Sequence, residues 1–243
     1  ASVNERNNAA VLAQSFHFNL TLFYLFEVPI IPSNIGLYWL SYIGLRKTSE
    51  KKTLRLIADL NPLFQTVKIN PFVTSGAFKR ELKKFTSTHK VAMAVMGLET
   101  KDWISKSIYG SHGVNIAGKI ETPLIIVPEK YRKHKLEEVL LAVDNNEKLN
   151  KATLHGFEKF VKASKTKLKL LHVRTAQELF KPMINSLKVN KIDLPIEVYQ
   201  AKNIQAGIKK YCKESPVDLV TIISKSHSVF YNLFSESNTQ KVA

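Results

Sequence analysis

The 243-residue chain is 44% hydrophobic and 23% charged, which gives it enough apolar surface for a folded core and room for one large domain or two small ones. Its single cysteine, Cys212, excludes a disulfide framework and any cysteine cage for zinc or an iron–sulfur cluster. The net charge of +16 is carried mostly by scattered lysine, with six arginines in all, so it describes a solvated face and no nucleic-acid partner is expected.

A helical pattern over Arg6–Phe16 is followed by a β-rich run, Leu20–Phe26. The apolar stretch Leu20–Leu45 is too broken by Glu27, Pro29, Pro32, Asn34 and Gly36 to cross a bilayer. No basic, apolar, small-residue leader opens the sequence. A cytoplasmic protein with no membrane partner is expected. The aromatic run Leu37-Tyr38-Trp39-Leu40-Ser41-Tyr42 is expected as a loop segment tucked onto the core, with a lipid- or ligand-contacting patch as the alternative.

Helical stretches then alternate with short apolar runs to the end of the chain. Glu50–Leu60 reads as helix, Thr66–Ile69 as strand, Phe78–Phe85 as helix and Val91–Met96 as strand. Phe78, Leu82 and Phe85 fall on one helical face. Ser111–Ile120 reads as helix and Leu124–Val127 as strand. The second half repeats the alternation: strand Val139–Val143, helix Leu149–Ala163, strand Leu168–Val173 and helix Ala176–Leu187. Strand Ile196–Tyr199, helix Ile204–Tyr211 and strand Leu219–Ile223 complete it. Such alternation predicts βαβ units and parallel sheets.

The halves also match each other. Leu12 pairs with Phe160 and Tyr24 with His172 at a spacing of 148; Phe78, Leu82 and Phe85 pair with Ile204, Ile208 and Tyr211 at 126. The difference places about 22 extra residues in the first half, near residues 30–52. The charged segment Pro128–Leu136 is the join. The expected fold class is therefore α/β, with two tandem open, mostly parallel, Rossmann-like sheets flanked by helices and packed as an internal pseudo-dimer. The first domain is expected over residues 1–130 and the second over 136–243. The first half shows no strand ahead of its first helix and the second none after its last, so the natural protein is expected to be longer by one strand at each end. A homodimer is left open.

The segment Val91–Pro128 carries the ligand signal. A strand ends near Gly97, a loop follows, and Gly110-Ser111 opens a helix. Glycine lets backbone approach a ligand, and a helix N-terminus offers free N–H groups to phosphate. These residues resemble the universal stress protein family, whose pattern is Gly-x-x-Gly, nine residues, then Gly-Ser or Gly-Thr. Here Gly97, Thr100 and Gly110-Ser111 hold the corresponding places, and Thr122–Val127, Val139–Asp144 and Leu171-His172-Val173 also fit.

The resemblance implies a stress-response binding or regulatory module with adenine nucleotide as the ligand. It implies ATP contacts from Gly97, Thr100, Gly110, Ser111 and His112, with Leu25 from the Leu20–Phe26 run. Thr100 replaces a family glycine, which crowds a phosphate, so at most a weak ATP site is expected in the first half. In the second half Ile223, Ser226 and Glu236 stand where nucleotide binders have three glycines, so no nucleotide is expected there although Asp144 is present.

No enzyme is expected. The seven histidines (His17, His89, His112, His134, His155, His172 and His227) show no zinc-like spacing, and no metal is expected. No nucleophile, base and orienter assemble. The alternatives are a slow ATPase on the Gly97–Ser111 loop, with Glu99 and Asp102 as its nearby acids, and an apolar-ligand binder through Tyr38–Tyr42.

Overall fold

The computed structural model describes residues 3–28, 35–98, 120–128, 131, 136–143, 151–176 and 185–222. It divides into two compact units, Ala1–His134 and Lys135–Ala243.

In the first unit, helix α1 (Val3–Ser15) leads into β1 (Leu20–Phe26), which pairs in parallel with β2 (Ile69–Ser75) from Leu20↔Ile69 to Phe26↔Ser75. Pro71 lacks the N–H a central strand would need, which suits a β2 paired only with β1 among the described residues. The crossover between them is the long helix α2 (Ile35–Leu60). It begins at Ile35 rather than Glu50, so the run Leu37–Tyr42 is helical and not a tucked loop. α2 is held by a narrow buried stripe, Ser49, Thr53, Ile57 and Leu60, which is half polar and gives little hydrophobic period to read.

Gly76 at φ +129 turns the chain from β2 into α3 (Phe78–Thr88), which buries Leu82, Phe85 and Thr86. Aromatic rings fasten these three elements together. Phe72 lies 4.4 Å from Phe85 and 5.5 Å from Phe23, and Phe85 stacks on His89 at 4.3 Å. Strand β3 (Ala94–Leu98) pairs in parallel with β4 (Leu124–Pro128) as a separate two-stranded sheet. Both sheets contribute to one core around Leu82 and Ile120, with Phe23 from β1, Ala94 and Met96 from β3, and Leu124 from β4.

The second unit holds a five-stranded sheet in the order β7-β8-β6-β5-β9. Its strands are β5 (Glu138–Ala142), β6 (Lys167–Arg174), β7 (Ser186–Val189), β8 (Ile192–Gln200) and β9 (Leu219–Ile222). All pairings are parallel except β7 with β8. Helices α4 (Lys151–Ser164) and α5 (Ile204–Glu214) cover its two faces. Val139, Leu141 and Leu170 pack with Phe157 and Val161 of α4, while Leu140, Leu171 and Val173 pack with Ile208 and Tyr211 of α5. Continuous apolar runs such as Val139-Leu140-Leu141-Ala142 suit strands buried on both faces.

The helix expected over Ala176–Leu187 does not reach its expected end. Residues 186–189 are strand β7, while 177–184 lie outside the described residues. The turn Asn190-Lys191, at φ +51 and +65, closes a two-residue hairpin with Val189 opposite Ile192. Both positive φ values match the turn type that follows strand twist, and lysine in place of the usual glycine hides it in the sequence. The Glu158 carboxylate of α4 accepts the Asn190 N–H at 2.8 Å.

α1 and α4 start 148 residues apart, and α3 and α5 start 126 apart. β1 follows α1 as β6 follows α4, yet burial separates the two strands. Only Phe26 of β1 is buried, whereas Leu170, Leu171, His172 and Val173 of β6 all are. β6 is paired on both sides; β1 pairs only with β2, and β3 only with β4, among the described residues. Backbone amides of β1 and β3 should exchange hydrogen at least about tenfold faster than those of β5 and β6. Native-state exchange read by mass spectrometry checks this, and equal protection would contradict it.

The N-terminus of α5 is fixed by Asn203, whose side chain accepts the Ala206 N–H at 2.8 Å. One turn on, a Cβ on Gly207 would stand within 3 Å of Val173 on the sheet. Gly207→Ala should therefore destabilise the protein by about 1–3 kcal/mol through overpacking, despite alanine's better helix propensity. Urea denaturation measures it.

Candidate functional site

In open α/β sheets ligands gather beyond the carboxyl ends of the strands, where the strand order reverses. In the second unit that reversal lies between β5 and β9, since β6 and β8 step away from β5 on its other side. The strand ends there are Ala142 and Ile222. Asp144, Ile223, Ser226 and Glu236, the residues on which the contrast between the two halves turns, lie outside the described residues.

A buried polar side chain near this end of the sheet is His172, close to the end of β6 and buried to 4% exposure. Its Nδ1 lies 3.0 Å from the carbonyl oxygen of Val143, just past β5. A carbonyl only accepts, so Nδ1 carries the proton. Nε2 is buried with no hydrogen-bond partner among the described residues. A histidine inside the run Leu170-Leu171-His172-Val173 had to be buried, because both faces of that strand are covered. That signal was in the sequence, although spacing arguments for metal sites pass over it.

In the first unit β1 stands at the place of β6 and β3 at that of β9, and their strand ends are the ones to compare. Gly97 is the penultimate residue of β3 and pairs with Val127; Leu25 is the penultimate residue of β1 and pairs with Thr74. Each sits one or two residues beyond a side chain of the shared core, Met96 and Phe23 respectively. Both expected contacts thus lie at carboxyl strand ends. Gly97 lies in the regular ladder, so its value to a ligand is its missing side chain and not an unusual φ. Thr100, Gly110, Ser111 and His112 lie outside the described residues. Of the residues expected to meet a phosphate, Gly97 alone falls among the described ones.

The aromatic run lies on α2 and reaches the carboxyl end of β1 through Tyr42. Tyr42 packs against Phe26 with ring centroids 5.6 Å apart, while Trp39 is 56% and Leu40 70% exposed. Among the described residues no three His, Cys, Asp or Glu side chains gather as a metal site requires.

Other polar pairs serve the sheet of the second unit. Lys169 meets Glu138 at 2.8 Å, joining β6 to β5, and the hydrogen bond to Glu138 holds the Lys169 ammonium above its ordinary pKa. The Asp218 carboxylate accepts the N–H groups of Glu137 and Glu138 at 2.8 and 3.0 Å. Tyr211 donates to Glu197 at 2.9 Å and Tyr199 to Glu214 at 2.7 Å, with the two rings edge to face. Cys212 is half-buried beside them, and burial pushes its thiol pKa up, which makes it a poor nucleophile.

Burial, and secondarily the bond to Glu197, raises the pKa of Tyr211 above its ordinary 10.0. A raised phenol favours the folded state below the unfolded pKa and loses that advantage as pH climbs through the folded pKa. Stability should therefore fall above about pH 10. Tyr211→Phe should cost about 1–2 kcal/mol at neutral pH and flatten the alkaline fall. Urea unfolding between neutral and alkaline pH reads both effects.

No protein-family model matches the sequence, and no curated protein matches it. Solved structures do. A universal stress protein from Archaeoglobus fulgidus DSM 4304 superposes with a TM-score of 0.66 at 14% identity, covering 96% of this chain and 92% of its own. A protein of Pseudomonas aeruginosa UCBPP-PA14 assigned to the universal stress proteins gives 0.53 at 9% identity, covering 91% and 90%. A functionally unknown protein of Pseudomonas aeruginosa PAO1 gives 0.52 at 9% identity, covering 87% and 88%. The chain has the universal stress protein fold.

Proposed function

We propose that this protein is a non-catalytic stress-response module that binds adenine nucleotide weakly at the carboxyl end of β3 in its first unit. The observation that supports the reading is the place of Gly97. It is a residue without a side chain at the end of a parallel strand, where an open sheet receives ligands. In this reading the amides near Gly97 and Gly110 and the Ser111 hydroxyl receive the phosphates, and Lys101 and Lys106 add positive charge. Leu25 and His112 border the ligand.

Two features keep the site weak. Thr100 replaces a permissive turn residue, at a cost of about 1 kcal/mol or more in backbone strain. Glu99 and Asp102, the acidic residues beside the loop, add negative charge next to a polyphosphate. The second unit stays empty, because Ile223, Ser226 and Glu236 replace small residues with side chains and a charge. Nothing in this arrangement supplies a nucleophile and its base, so nucleotide is read as a regulatory ligand and not turned over.

Titration calorimetry with Mg-ATP should give a Kd of about 0.1 mM or weaker, equivalent to ~5.5 kcal/mol or less. Gly97→Val and Gly110→Glu should each abolish the residual binding, and ATP hydrolysis should stay at background. A low-micromolar Kd abolished by Gly110→Glu would overturn the weak-site reading. Steady ATP turnover lost in that variant would overturn the non-catalytic one.

A further inference from the structure

Crossing a bilayer and lying on one are different demands. No described helix is long and apolar enough to cross a membrane, but α2 carries an outer face of another kind. Its inner stripe, Ser49, Thr53, Ile57 and Leu60, is buried against the first unit. A second stripe, about a third of a turn round the helix, reads Leu40, Ile43, Lys47, Lys51 and Leu54, at helical spacings of three and four. Leu40, Ile43 and Leu54 are 70%, 50% and 54% exposed, and both lysines are exposed. Trp39, 56% exposed, flanks the stripe and meets Tyr38 and Tyr42 edge to face.

Two further features bear on what covers this face. Residues 35–45 of α2 carry no charge, while residues 46–55 carry five basic groups against the single acid Glu50, already bonded to Arg46 at 3.0 Å. The remaining acid of the helix is Asp59, in its last turn. The half of α2 that bears the aromatic run also falls in the segment for which the second half of the sequence has no counterpart. A surface that offers exposed leucine, isoleucine and tryptophan beside lysine, on a chain of net charge +16, is complementary to an apolar layer overlaid by negative charge.

We propose that the outer face of α2 docks on the surface of an anionic lipid bilayer. The helix lies in the interfacial plane. Leu40, Ile43, Leu54 and Trp39 enter the boundary between headgroups and acyl chains, and Lys47 and Lys51 reach back along their stems to lipid phosphates. The helix remains folded on the first unit throughout, because the docking residues are exposed and none belongs to its buried stripe. Nucleotide plays no part in this contact.

The test is co-sedimentation of the full chain with vesicles of phosphatidylcholine alone, and of phosphatidylcholine with about one part in three phosphatidylglycerol. Binding is expected to the mixed vesicles and not to the neutral ones, and to be lost at about 1 M salt. The double variant Lys47→Glu/Lys51→Glu should weaken it about 25-fold or more, at roughly fivefold for each lysine removed. Leu40→Asn/Ile43→Asn should weaken it about tenfold even at low salt. All four positions are exposed, and circular dichroism verifies that the variants fold. In a Trp103→Phe background, the emission of Trp39 should shift to the blue on anionic vesicles. No binding, or equal binding to both vesicle types, overturns the proposal. So does an equal loss in the control Lys159→Glu/Lys162→Glu on α4, which would make net charge the cause. A dimer in sedimentation whose dissociation requires the Leu40 and Ile43 variants would also overturn it, giving the face to a second copy of the chain.

Discussion

Burial of β5 and β6 on both faces is the constraint from which the second unit follows. Leu140, Leu141, Leu170 and Leu171 are each at most 1% exposed. Four leucines removed from water in one patch contribute roughly 1.5–3 kcal/mol each, as an upper bound on area grounds. Because alternate residues point to opposite faces, the patch demands a helix on either side. α4 answers on one face with Phe157 and Val161, and α5 on the other with Ile208 and Tyr211. The polar groups then arrange themselves around that packing. Asp218 ties down the start of β5, and Lys169 and Glu138 bridge β5 to β6 at the margin of the sheet. His172 is drawn inside with the apolar residues beside it and takes the Val143 carbonyl as its one described partner.

The first unit solves the same problem with different means. It has no described strand paired to both β1 and β3, and its tightest packing comes from rings, with Phe23, Phe72, Phe85 and His89 clustered between β1, β2 and α3. Large planar side chains bury much area while tolerating imperfect registry. The aliphatic core around Leu82 and Ile120 then joins the two small sheets. The strand ends that would meet a ligand thus belong to the less deeply buried of the two units. That is where local opening costs least.

The parts of this fold legible in the sequence are those with one strong period. α3 and α5 show it clearly, since Phe78, Leu82 and Phe85 in one and Ile204, Ile208 and Tyr211 in the other fall on single faces. The continuous apolar runs of β5 and β6 were equally plain. α2 is legible only from Glu50 because its buried stripe contains serine and threonine, and because its first turns expose the residues that usually signal a core. β7 is hidden in the sequence because lysine occupies a positive-φ place that glycine normally marks. Of the candidate site, Gly97 and Leu25 were legible as strand-end residues, since the runs that carry them are apolar and short. His112 and Ser111 rested on family resemblance, and their positions lie outside the described residues. His172 was legible as buried but not as half-satisfied, because hydrogen-bond geometry depends on how far β5 runs past its last paired residue.

The hairpin at Asn190-Lys191 makes the two edges of the second unit's sheet unlike each other. β7, at one edge of the sheet among the described residues, runs antiparallel to β8 and ends after four residues, with Lys188 among them. Short, charged edge strands discourage further pairing. Glu158 also fastens the turn to α4, so the finished edge does not peel away. At the opposite end β9 pairs with β5 alone among the described residues, and Val220 there is 36% exposed. Among the described residues the two edges therefore differ in protection: β7 carries Lys188 and a turn tied to α4, whereas β9 (Leu219–Ile222) carries no charged side chain and is the edge less guarded against further pairing.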